Sequence, residues 1–91
     1  MNEHELEQFV LNYLANHPDA WIDFYELDAA LAAHLKTRKE SMGDEVRKSY
    51  LRGTIGHLLH YGSVIRDKKL AKYKIGDETM NLFTEQETKH S

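Results

Sequence analysis

The side chains with chemistry to offer are mostly cations, and they are unevenly distributed. Residues 36–75 carry eleven Lys and Arg against four carboxylates, a local charge of +7. Arg47, Lys48 and Arg52 fall within one helical stretch, and Lys68, Lys69 and Lys72 cluster at and just after an Asp67-Lys68-Lys69 turn. Residues 1–35 hold seven carboxylates and no Lys or Arg, and residues 76–91 hold four acids and Lys89. The net charge of −3 is therefore an average over three segments of differing sign. Such asymmetry points to a polyanion meeting one part of the molecule. Neutralising phosphates with Lys and Arg releases condensed counterions, which supplies most sequence-independent affinity for nucleic acid.

Other chemistries find less support. The chain has no Cys, which excludes disulfide scaffolds, thiol catalysis and cysteine metal sites. His57 and His60 stand at i, i+3, but a metal site needs three or four ligands and nothing nearby completes one. They are expected to be surface histidines, and neither a metal nor any other cofactor is expected. No nucleophile–base pair, glycine-rich phosphate loop or paired carboxylate supports catalysis, so an enzyme is not expected. No apolar run approaches the roughly 20 residues of a membrane span. The acidic start MNEHELEQFV lacks the basic-then-apolar order of a secretory signal. The expectation is a soluble protein without a membrane partner, cytoplasmic or nucleoid-associated.

The elements that would position these cations follow from periodicity. Leu6, Phe9, Val10, Tyr13 and Leu14 recur at spacings of three and four, predicting a helix over residues 2–16 that Pro18 ends. Asn2 with Glu5, and later Asp23 with Glu26, have the spacing of capping boxes. Trp21-Ile22-Asp23 allows only a very short strand. Leu27, Ala30, Leu31 and Leu35 predict a second helix, and residues 37–43 a polar connection. Asp44 is expected to cap a third helix over roughly 45–61, with Leu51, Ile55, Leu58 and Leu59 inward. Gly62 suits a left-handed helix end. Ser63–Arg66 and Leu70–Ile75 then predict a hairpin. Trp21, Phe24 and Tyr25 are expected at the core edge. Residues 1–84 form one domain in this reading, with a short helix or covering segment at 78–84 and a polar tail at 85–91.

This order resembles the winged helix-turn-helix family over residues 2–75. The stretch Leu51-Arg52-Gly53-Thr54-Ile55-Gly56-His57-Leu58-Leu59-His60-Tyr61-Gly62-Ser63-Val64-Ile65 looks like the family's recognition helix running into its wing. The resemblance implies an α+β fold of three helices and a C-terminal β-hairpin wing. It also implies contacts to double-stranded DNA from Arg47, Lys48, Ser49, Arg52 and His57, with Lys68, Lys69 and Lys72 acting from the wing. A transcriptional regulator acting by occupancy is the function it implies. A homodimer on two half-sites is an arrangement it allows, with residues 77–84 or the first helix supplying the contact.

Two features depart from that pattern. The connection before the third helix exceeds the usual three-to-four-residue turn. Ser49, Gly53 and Gly56 also occupy its outer face, where base-reading side chains are usual. Each interior glycine costs about 1 kcal/mol against alanine, which suggests close approach by DNA backbone or a partner helix. The alternative function is accordingly a winged-helix protein-interaction module without DNA binding, whose basic face docks an acidic partner and whose Ser49, Gly53 and Gly56 form a helix-docking face.

Overall fold

The structure is a computed structural model that describes residues 1–77 and Thr79. Helix α1 spans Glu3–Ala15, and the side chain of its N-cap, Asn2, accepts a hydrogen bond of 2.8 Å from the Glu5 amide. Helix α2 spans Phe24–Thr37, and Asp23 caps it in the same way through the Glu26 amide. Only this half of each expected capping box is in place. The Glu5 carboxylate accepts from Arg38, and that of Glu26 accepts from the Tyr13 hydroxyl at 2.8 Å. Both carboxylates thus link α1 to α2 or the residue after it.

Helix α3 spans Asp44–His60, starting one residue earlier than expected. Gly43 is its N-cap and has no side chain to offer, so Asp44, expected as the cap, is instead the first helical residue and accepts from Arg47. The connection over residues 38–43 begins with Lys39 at φ 57°, where Glu40 donates its amide to Leu35 and Lys39 to Lys36. Gly62, at φ 76°, closes α3 through the same pair of bonds, from Ser63 to Leu58 and from Gly62 to Leu59. Such amides donating back over five and three residues satisfy carbonyls left without partners at a helix end.

Strands β1 (Ile22–Asp23), β2 (Val64–Asp67) and β3 (Lys72–Ile75) form one antiparallel sheet in the order β1-β3-β2. The chain order is therefore helix, strand, helix, helix, strand, strand, within a small α+β domain. The hairpin loop is longer than the predicted turn. Asp67 accepts from the Lys69 and Leu70 amides through its side chain and from Ala71 through its carbonyl. Ala71 takes the left-handed conformation, at φ 52°. Leu70 consequently lies in the loop, outside the strand predicted for it.

The core joins Leu6, Val10 and Leu14 of α1, Leu27, Leu31 and Leu35 of α2, and Leu51, Ile55 and Leu58 of α3 to Ile22, Val64 and Ile75 of the sheet. Burying a side chain of this size contributes about 1.5–3 kcal/mol, which readily offsets the weak helix propensity of α3. Gly76 fastens the hairpin beneath the end of α3, its amide donating to Ser63 at 2.9 Å. A Cβ there would stand 2.4 Å from the Gly62 carbonyl oxygen, so only glycine fits without a shift. Among the described residues no helix is long and apolar enough to cross a membrane. The segment 78–84, with Met80, Leu82 and Phe83, and the tail 85–91 lie outside the described residues apart from Thr79.

Candidate functional site

Arg47 and Arg52 show how α3 distributes its charge. Arg47 projects with the apolar face of the helix, between Asp28 and the helix start. Its Nε and Nη2 meet the two Asp28 oxygens at 2.7 and 3.0 Å, and its Nη1 meets Asp44 at 2.8 Å. The Arg47 and Asp28 side chains are only 11% and 9% exposed. A fork-to-fork pair of this kind is strongly directional and locks α2 against α3. Arg47 hydrogen bonding holds the Asp28 carboxyl below its usual range, with the charges of Lys48 and Arg52 adding to the effect against burial. The geometry gives Arg47 an internal role in place of the surface role expected of it.

Arg52 lies about one and a half helical turns further on and remains exposed. Its Cζ sits over the Phe24 ring, 4.9 Å from the centroid, a cation–π arrangement that fixes the stem and leaves the charge at the surface. Arg52 lines a shallow recess of about 490 Å³ between the start of α2, α3 and the hairpin. Phe24 and Tyr25 form one wall, and Leu70, Lys72 and Tyr73 form the other. Lys68 and Lys69 stand exposed on the adjoining loop. Lys72 is half-buried, in register with Asp67 on one side and Asp23 on the other. Lys48 is half-buried and belongs to the same flank of α3 as Arg52.

Ser49 and His57 belong to the opposite flank. With Gly53 they line a cleft of about 580 Å³ between α1, α2 and α3, whose walls include Leu6, Leu31, Leu35 and Met42. His57 Nε2 is 3.4 Å from a Glu7 carboxylate oxygen, an ion pair only when the imidazole is protonated. Cβ atoms at Gly53 and Gly56 would meet nothing within 4 Å among the described residues. The close approach suggested by these glycines is thus absent within that part of the chain.

Eight residues expected to act together are therefore divided. Arg52 and Lys72 share the recess with Lys68 and Lys69 beside it, Lys48 stands half-buried on the Arg52 flank, Ser49 and His57 face away from them, and Arg47 is engaged internally. Comparison with family models, curated proteins and solved structures returned no match. Assignment of this surface therefore rests on its own chemistry. Among the described residues no group of three His, Asp or Glu is placed to hold a metal ion.

Sequence reading missed Asp28, Tyr25 and Leu70. Asp28 had a legible signal: it adjoins Leu27 in the stripe completed by Leu31 and Leu35, and a carboxylate there needs a cationic partner. Tyr25, expected at the core edge, is 72% exposed, and Leu70 is 55% exposed. Phe24 and Trp21 do sit at that edge, half-buried, with the Lys74 ammonium 5.3 Å from the Trp21 ring centre.

Proposed function

We propose that this chain is a small winged helix-turn-helix protein that binds double-stranded DNA by occupancy, without catalysis, as a regulator of transcription. The observation that carries the reading is the recess where Arg52 of α3 and Lys72 of the hairpin meet beside Lys68 and Lys69. Two elements distant in sequence present cations to one place, as a phosphate backbone requires. The carboxylates of α1 (Glu3, Glu5 and Glu7) belong to a helix that does not line the recess, which disfavours misoriented encounters. Lys48, Arg52, Lys68, Lys69 and Lys72 are the contacts in this reading, and Arg47 supports them by fixing α3 on α2.

A salt titration of binding to duplex DNA tests it. The logarithm of affinity should fall linearly with the logarithm of salt concentration, and each lost phosphate contact should reduce the slope by about 1. A Lys48→Glu/Arg52→Glu/Lys68→Glu variant should bind far more weakly. Equal binding by that variant and the wild type would reject the surface.

The α1–α3 cleft favours a second reading, a protein-interaction module. It is mostly apolar and Gly53 leaves its rim open to a partner helix. A Gly53→Leu variant that retains DNA binding but loses a co-purifying protein would establish this reading. Unchanged association would remove it.

A further inference from the structure

The recess beside Arg52 has more than a phosphate-binding rim. Tyr25 is the most exposed large hydrophobic side chain among the described residues, at 72%, and Leu70 stands across the recess at 55%. Neither exposure is accidental. Asp23 caps α2 and places Tyr25 in its first turn, on the outer side from Leu27 and Asp28. Asp67 folds the hairpin loop around its carboxylate and leaves Leu70 at the surface. Phe24 extends the apolar wall, its ring 5.8 Å from that of Tyr25 at an interplanar angle of 80°, while Arg52 lies over Phe24. A shallow recess that combines aromatic and aliphatic side chains with Arg52, Lys72 and Asp23 offers more than a bare phosphate or the polar edges of paired bases would use. A duplex hides the faces of its bases, and a phosphate has no use for two rings and a leucine.

We infer that this recess accepts one unpaired nucleobase of DNA, flanked by Tyr25 and Leu70, while Arg52 and Lys72 meet the adjoining phosphates. This rests on the DNA-binding reading and sharpens it, because it makes a duplex carrying an unpaired extension the preferred ligand. Stacking on aromatic side chains tolerates any base, since every base has a π-face. The slot therefore selects the unpaired state of a base and is indifferent to its identity. Asp23 also lines the recess, and its carboxylate is engaged as the cap of α2 by the Glu26 amide.

Fluorescence anisotropy with three DNA probes decides the matter: a blunt duplex, the same duplex with a short single-stranded extension, and the single strand alone. The extended duplex should bind about five- to 150-fold more tightly than the blunt one, the size expected of one stacked base. A Tyr25→Ala variant should lose that preference while keeping its affinity for the blunt duplex, and its exposed position leaves the fold intact by circular dichroism. A fluorescent aminopurine at the first unpaired position should be quenched by the wild type and not by the variant. Equal binding of blunt and extended duplexes overturns the base site and leaves the duplex-binding proposal standing. Equal loss of both probes in Tyr25→Ala also overturns it, making Tyr25 a general contact. Single strand bound as tightly as the extended duplex, with blunt duplex unbound, supports the base site and rejects duplex binding. Binding of no probe overturns both.

Discussion

Arg47 and Arg52 occupy the same helix, carry the same charge and belong to two regions with different uses for it. At the joint between α2 and α3, Arg47 is closed between Asp28 and Asp44, almost out of solvent. At the recess between α3 and the hairpin, Arg52 keeps its charge outside and lays its stem on Phe24. The difference shows that charge counted along a chain and charge available at a surface are separate quantities. Arg38 repeats the point, since it is bonded to Glu5 and Glu40. The +7 segment presents outward only the part that acids of other segments have not already met.

The most direct way to break this comparison is to truncate each arginine in turn. Arg47→Ala leaves Asp28 unpaired and largely buried, and should reduce stability by about 1.5–3 kcal/mol in urea unfolding. Arg52→Ala should change stability by less than about 1 kcal/mol, and its effect on binding is the one read in the proposed DNA titration. Similar unfolding midpoints for the two variants would abolish the distinction.

Acid sharpens the same contrast. The folded-state pKa of Asp28 lies below its unfolded value, so its pairing contributes fully above the ordinary carboxylate range. That contribution fades as pH falls through the depressed folded value. Wild type should therefore lose more stability on acidification than Arg47→Ala, and Arg52→Ala should follow wild type more closely.

Glycines provide the next test, because they too differ by region. Gly76→Ala forces a Cβ against the Gly62 carbonyl beneath the hairpin and should cost about 1–3 kcal/mol in thermal or urea unfolding. Gly53→Ala and Gly56→Ala meet open space and should each stabilise the isolated protein by about 1 kcal/mol. Destabilisation by both of these would show that something packs on the outer face of α3 after all. The smallest effect is expected in the loop itself. Ala71→Gly relieves a left-handed conformation and should add about 0.5–1 kcal/mol, visible as a small rise in melting temperature.

Much of the fold could be read from one-dimensional signals. The stripe Leu6–Val10–Leu14, the Asp23 cap, the glycine that ends α3 and the hairpin all depend on neighbours a few residues away. Such signals are local, and the structure places these elements within a residue or two of their expected bounds, the hairpin loop excepted. The site was less legible. Arg47 and Lys48 are adjacent in sequence, yet one turns inward, because the adjacent side chains of a helix point about 100° apart. Asp44 looked like a cap, but α3 starts one residue earlier, which makes Gly43 the cap and Asp44 the first helical residue. Tyr25, expected at the core edge as an aromatic residue, stands in the first turn of α2 on the side away from Leu27 and Leu31.

By itself the sequence determined the kinds of element, their order and the concentration of positive charge after residue 35. These follow from periodicity, capping chemistry and counting, all of which act within a few residues. Only the tertiary structure decided which cations stay available and which apolar side chains meet them. Asp28 captures Arg47 across 19 positions of chain, and the hairpin brings Leu70 and Lys72 to Phe24, Tyr25 and Arg52. No local pattern encodes those meetings. They arise because burying the shared leucine core fixes the helices and the sheet in one arrangement, and the surface chemistry follows from it.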